Sequence, residues 1–265
     1  MFNQIENKKR NQTIFEPSNY YLDRYSDIKP YSYNKVLINN GKGYINASPI
    51  NIGEKENYFI STQGPKPETI EDFWTMVYEN NSNVIVMLCN LTEGGSIKCE
   101  NYWEKPKMKK FFVEIQKEEK KTKMHTIRTL KLKNKEKNEE RIIYQIHFTA
   151  WPDHGIPDIS DDKVFQVFCE INKKVDELNN KNNPIIVHCS AGVGRTGSFI
   201  SMYLLEKEIN EQIKAKKDYI RFNIFNLVRK IKEMRLYMVQ NVDQYRFVYA
   251  YVRYLLENNN VLKKI

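Results

Sequence analysis

A single α/β domain is predicted by three observations. Short, continuously apolar runs read as buried strands, and longer runs with apolar residues at i, i+3, i+4 and i+7 read as amphipathic helices. The two kinds are mixed along the chain. No internal repeat and no Pro/Gly/Ser linker divides them, so the expected unit is one domain over 1–265. With 41% hydrophobic and 28% charged residues, a chain of this length has the apolar surface for a packed core.

Taken in order, Ile70, Phe73, Trp74 and Val77 follow the helix period. "NVIVML" (83–88) is a buried strand, continuously apolar because both faces are covered. Residues 110–149 hold strand-like pieces, "FFVEI", "TIRTLKL" and "IIYQIHFTAW", separated by charged turns. Ser160 with Asp161 and Asp162 suits a helix start, and Val164, Phe168, Ile171 and Val175 continue on one face. "NPIIVH" (183–188) is a second buried strand. Helical spacing returns from Arg195, with Phe199, Met202, Tyr203 and Leu205. It returns again at Leu227, Val228, Ile231 and Met234, and at Tyr245, Val248, Tyr249, Val252 and Leu256.

No stretch approaches the roughly 20 apolar residues of a membrane span, and the opening "MFNQIENKKRNQ" lacks the apolar core of a signal peptide. A cytoplasmic location is expected, or a cytosolic domain of a longer protein. Much of the net charge of +9 lies in residues 105–138. Solvated lysines on strand edges and loops account for it. Acidic peptides, lipid headgroups or nucleic acid are the alternative partners, but the stretch has few aromatics and no nucleic-acid motif. Cys89, Cys99, Cys169 and Cys189 show no C-x-x-C spacing, which argues against a zinc site or a disulfide framework. The first three read as structural thiols.

The fourth does not. In "IIVHCSAGVGRTGSF" (185–199) a strand runs into a glycine loop and then a helix. Gly192, Gly194 and Gly197 permit angles and approaches that a Cβ would block. Such a loop turns the N–H groups of Ser190, Ala191, Gly192, Val193 and Gly194 inward as a nest for an anion, and the helix N-terminus adds partial positive charge. A free thiol ionises near pH 8.5; nest and helix end favour the thiolate of Cys189. Thr196 is expected to donate its hydroxyl to the sulfur. Arg195 presents a planar fork that matches two phosphate oxygens. C-x5-R holds for no other cysteine, since six residues on stand Gly95, Lys105 and Val175. A nucleophilic sulfur under a cradle for a dianion implies phosphoryl transfer through a phosphocysteine. Phosphocysteine chemistry also needs an acid for the leaving oxygen and a base for water, roles that one carboxyl can fill in turn. "TAWPDHGIPD" (149–158) offers Asp153, with Trp151 as anchor and Gly155 as flexible point; on its own it also reads as a surface turn.

"VHCSAGVGRTG" together with "WPDHGIPD" resembles the tyrosine-specific protein tyrosine phosphatases, over nearly the whole chain from "DRYSDI" to "MVQNVDQYRF". The resemblance implies a central, highly twisted mixed β-sheet with α-helices on both sides. In "DRYSDIKPY" it implies that Tyr25 stacks on the substrate ring and Asp27 holds the peptide backbone. In "TEGGSIKCENYW" it implies that Glu93 orients Arg195 and Lys98 meets the acid loop. In "MVQNVDQYRF" it implies that Gln240 positions the hydrolytic water and Gln244 supports it. His188 is the histidine of the signature. "GYINASPI", "STQGP" and "EDFWTMVYEN" match structural signatures. Asn241 stands where Thr is usual, Lys232 where Arg is common with Arg235 following, and Ser26 where some members are basic; these bear on substrate preference and on a second aryl-phosphate pocket. The implied enzyme is a monomeric phosphotyrosine phosphatase without metal or cofactor, since Arg195 and the nest supply the positive charge. A pseudophosphatase would lack Cys189, Arg195 or Asp153, and a dual-specificity or phosphoinositide enzyme would have a shallower pocket or lysines in "SAGVG". An accessible thiolate is also the expected target of peroxide.

Overall fold

The computed structural model describes residues 19–53, 59–152, 155–179 and 183–261. In chain order the main elements are β1 (Ala47–Ile50), β2 (Phe59–Thr62), α1 (Ile70–Glu79), β3 (Val84–Met87), β4 (Thr92–Glu93), β5 (Ser96–Ile97) and β6 (Phe111–Lys120). They continue with β7 (His125–Asn134), β8 (Glu139–Phe148), α2 (Asp162–Leu178), β9 (Ile185–His188), α3 (Gly194–Lys214), α4 (Ile224–Met234) and α5 (Val242–Asn258). Seven strands form one mixed sheet in the order β1-β2-β9-β3-β8-β7-β6. The β2-β9-β3-β8 centre is parallel and both flanks are antiparallel.

Strand alternation assigns the two faces. Ile85, Met87, His188 and Gln145 share one face through the register Ile85↔Gln145 and Met87↔His188. That face is covered by α1 and the segment after β5, where Phe73, Trp74 and Tyr102 pack on one another and on His188. The other face carries Phe59 against Tyr203 of α3 and Phe148 against Phe168 of α2. Phe168 in turn meets Phe247 of α5. The parallel centre is therefore buried on both sides, which is why β3 and β9 are wholly buried.

The expected helices and strands are present. Asp161, not Ser160, caps α2, accepting from Lys163 N at 3.0 Å. The helix after the glycine loop opens at Gly194, one residue before Arg195. Tyr249 leaves its expected stripe: it is 47% exposed, while Val248, Val252 and Leu256 are buried. The basic stretch forms β6 and β7 with their flanking turns, where Lys117 and Lys121 meet Glu119 and Lys131 meets Glu114, as solvated strand residues do.

Two imidazoles lie under the α1 face. Burial pulls His188 down to about 3 and His147 down to about 4. Between the ordinary value of 6.5 and about pH 4 the unfolded chain binds both protons and the folded chain neither. Stability therefore falls as pH drops through this window, by about 1.4 kcal/mol per pH unit for each imidazole. His147→Gln is expected to make the slope between pH 6 and 4.5 shallower by one proton's share, read by urea unfolding; an unchanged slope would mean that His147 charges freely in the fold.

Candidate active site

Residues 189–193 connect β9 to α3, and every carbonyl in this loop is held outward. Cys189 O meets His188 Nδ1 at 3.1 Å, Ser190 O accepts from Gly64 N at 2.8 Å, and Ala191 O from Arg235 Nη2 at 3.2 Å. Gly192 O accepts from Arg235 Nε at 2.9 Å and Ser61 Oγ at 2.7 Å, and Val193 O from Gly197 N and Val239 N. In a planar trans peptide the next N–H points opposite to the carbonyl. The N–H groups of Ser190, Ala191, Gly192, Val193 and Gly194 therefore turn to the concave side. Gly192 N reaches the Cys189 sulfur at 3.3 Å.

The glycines are steric necessities. Gly192 has φ +71°, and a Cβ there would lie 2.1 Å from Thr62 O. A Cβ on Gly197 would lie 2.4 Å from Val239 N. This close seating brings the turn before α5 over the loop, and the turn is strained: the β-branched Val239 sits at φ 55°, a conformation that costs on the order of 1–3 kcal/mol.

Arg195 crosses the cavity. Its Nη1 and Nη2 bond both oxygens of Glu93, at 2.7 and 2.8 Å, and also Leu88 O at 3.2 Å and Pro152 O at 3.1 Å. Burial opposes its charge, but Glu93 and the neighbouring sulfur more than offset this and raise its pKa. Arg235 is fully buried, and burial lowers it to about 10, so it remains a cation. The imidazole between β9 and the α1 face is fixed by acceptor logic. Cys189 O can only accept, so His188 Nδ1 carries the proton, and Nε2 faces Tyr102 OH at 2.7 Å.

A cavity of about 340 Å³ opens above the sulfur. Tyr25, Asp27, Lys98, Gly155, Gln240 and Gln244 line it together with Glu93, Cys189, Ser190, Ala191, Gly194 and Arg195. Ser190 Oγ donates to Lys98 O at 2.9 Å, so Tyr25 OH donates to Ser190 Oγ at 2.8 Å. Arg24 braces this wall by bonding Gly64 O, Ile97 O and Pro65 O. Gln244 is buried and its Oε1 accepts from Gln240 N. Asn241 caps α5 through Gln244 N at 2.9 Å, a task Thr also performs.

Of the anticipated site residues, all but four line one cavity or form its loop; Thr196 lies inside α3. His188 and Trp151 lie behind it; Trp151 packs on Phe247 and donates to Gly155 O at 3.3 Å. Asp153 lies outside the described residues. One expectation fails: Thr196 Oγ1 is buried without a hydrogen-bond partner, so it does not donate to the sulfur. The helix opens at Gly194, and the sulfur's partner is Gly192 N–H. Sequence reasoning missed Arg235 as the loop's clamp, and Ser61, Gly64 and Tyr102 as its supports. A basic residue expected in solvent gave no signal of burial.

The profile described as protein-tyrosine phosphatase matches residues 19–254. Tyrosine-protein phosphatase non-receptor type 4 of Mus musculus is 38% identical over 259 residues, covering 93% of this chain and 27% of the relative. Non-receptor type 20 of Rattus norvegicus is 39% identical over 250 residues, covering 92% and 56%. The catalytic domain of human non-receptor type 18 superposes with a TM-score of 0.79 at 31% identity, covering 91% and 86%. The chain belongs to the protein-tyrosine phosphatase family. It spans from about a quarter to somewhat over half of the length of the two curated relatives.

Gly192→Ala is expected to lower the unfolding free energy by roughly 3 kcal/mol, from a Cβ in contact with backbone and a residue forced to positive φ. It should weaken tungstate binding by about tenfold or more as N–H donors leave the cradle. Urea unfolding and tungstate titration test both; wild-type values would show that the loop has slack.

Proposed function

We propose that this chain hydrolyses phosphotyrosine in proteins through a phosphocysteine. The carrying observation is the loop whose five carbonyls are all hydrogen-bonded elsewhere, with Gly192 N–H on the Cys189 sulfur and Arg195 lining the same cavity. The phosphoryl group would lie in the cradle with Arg195 bridging two of its oxygens. Cys189 Sγ attacks phosphorus, the S–P bond forms and the P–O bond to tyrosine breaks. Asp153 gives its proton to the departing phenolate. Water, held by Gln240 with Gln244 behind it, then attacks phosphorus, returns a proton to Asp153 and releases the sulfur. Glu93 holds Arg195 in plane, and Lys98 and Trp151 support the acid loop. Asp27 at the rim takes the peptide backbone.

The Tyr25–Ser190 bond supports selectivity. It ties an aromatic wall to the loop itself, so the phosphate lies a ring's depth below the rim. Phosphoserine is too short to reach. Among the described residues no helix is long and apolar enough to cross a membrane. A cytoplasmic, monomeric unit over 1–265 acting on phosphotyrosine proteins is part of the proposal.

Cys189→Ser is expected to abolish turnover of a phosphotyrosine peptide while binding survives. Asp153→Ala should slow turnover by roughly 10² to 10⁴, the usual worth of general acid–base catalysis. Steady-state kinetics and peptide titration read both, and wild-type turnover in either variant defeats the assignment. Equal kcat/KM on phosphoserine peptides would indicate a shallow, dual-specificity pocket instead.

A further inference from the structure

A row of polar side chains runs from the outer edge of the sheet to the loop. Register places Glu118, Arg128 and Gln145 side by side across β6, β7 and β8. Arg128 Nε donates to Glu118 Oε2, and Arg128 lies 4.8 Å over the Trp103 ring. Its Nη1 donates to Gln145 Oε1 at 2.8 Å and meets His147 Nδ1 at 3.2 Å. Gln145 is fully buried, and its Nε2 donates to Tyr102 OH at 2.8 Å. Tyr102 OH meets His188 Nε2 at 2.7 Å, and His188 Nδ1 meets Cys189 O at 3.1 Å.

The two ends of this row allow no choice. A guanidinium has only donors and a carbonyl only acceptors. Arg128 therefore fixes the Gln145 amide with its oxygen toward β7 and its NH₂ toward Tyr102. Tyr102 O receives that NH₂, so its own proton goes to His188. The sulfur of Met87, 3.9 Å away, is a weaker acceptor than an imidazole nitrogen at 2.7 Å. His188, kept neutral by burial, then offers Nδ1–H to Cys189 O.

We infer that Gln145 and Arg128 are positioning residues for the nucleophile: the amide held by Arg128 sets the direction of the Tyr102 and His188 hydrogen bonds, and so holds the Cys189 carbonyl away from the phosphate cradle. Hydrogen bonds aligned head to tail also polarise one another. The effect on turnover rests on the phosphatase reading; the direction of the bonds does not.

Gln145→Glu tests this with almost no change in shape. The carboxylate keeps the bond to Arg128 but has no proton for Tyr102. Tyr102 then donates to it, and His188 Nε2 must carry a proton to meet the Tyr102 oxygen. Long-range ¹H–¹⁵N spectra of the unliganded protein read the two ring nitrogens directly. The expected result is bare Nε2 in wild type, protonated Nε2 in Gln145→Glu, and both sets of signals in Gln145→Met, where no amide holds the Tyr102 hydroxyl in one direction. In kinetics, Gln145→Glu should lower kcat by about tenfold or more with KM within about threefold, and Gln145→Met should lower kcat by a smaller factor, about threefold to tenfold. These ranges follow from losing one loop anchor as against weakening it. If Gln145→Glu does not fold, Arg128→Met frees the amide to flip and should give a second set of His188 signals with protonated Nε2. Bare Nε2 in Gln145→Glu overturns the inference, as does a Gln145→Met variant with wild-type kcat and a single wild-type signal set, or a single unaltered signal set in Arg128→Met. Spectra as expected in a wild type without turnover would support the relay and defeat the phosphatase reading alone.

Discussion

The outward tethering of five consecutive carbonyls is the constraint on which the site depends. A glycine loop can place its N–H groups on either side, and nothing local decides which. Here the decision comes from remote segments: Gly64 after β2, Ser61 within it, Arg235 after α4, Val239 before α5, and His188 backed by Tyr102. Each bond is worth only about 1 kcal/mol net. Together they set the whole stretch, because within each planar peptide a tethered carbonyl also fixes the direction of the N–H. Arg235 carries the largest share. It spans Ala191 O, Gly192 O, Ser48 Oγ and Asn46 Oδ1 from a position with no exposure. Burying a cation with no carboxylate among those four partners is costly. The carbonyl dipoles that it gathers offset that cost, and gathering them exposes the N–H side.

The same dependence explains what could be read from the sequence. α1, α2, β3 and β9 are legible because a neighbour three or four places away, or the next residue, decides their burial. The phosphate loop is legible because cysteine, glycines and arginine fall within nine residues. β1 and β2 are not: with Ser48, Ser61 and Thr62 buried, neither reads as an apolar run or alternates cleanly. Those polar side chains are there for the loop and its clamp, since Ser61 bonds Gly192 O and Ser48 bonds Arg235. The Tyr25–Ser190 contact joins residues 165 apart, and only the family resemblance brought them together. The Thr196 expectation failed because it assumed a rotamer, which a sequence does not carry.

Strain is placed where it serves the same end. Val239 at positive φ and Tyr237 at φ 63° bend the chain between α4 and α5 sharply. The bend puts Val239 N on Val193 O and delivers Gln240 to the cavity wall two residues after Met238, which is fully buried. A relaxed turn would avoid the local cost but would lift the glutamine pair away from the loop.

Charge bookkeeping at the floor returns to the backbone. Glu93, 4% exposed at its side chain, takes both forks of Arg195. At a distance this pair is close to neutral, so the guanidinium contributes geometry more than long-range field: both its forks are held by Glu93. No lysine stands in the loop itself. The potential that would hold a dianion above the sulfur therefore comes from the N–H dipoles of residues 190–194 and the α3 terminus, with the buried Arg235 cation behind the loop. Dipole fields fall steeply with distance and with angle. A charged side chain tolerates an ångström of drift, and a ring of peptide dipoles does not. That difference is the physical reason why tethers from the β2 end, the turn between α4 and α5, and His188 converge on a five-residue loop.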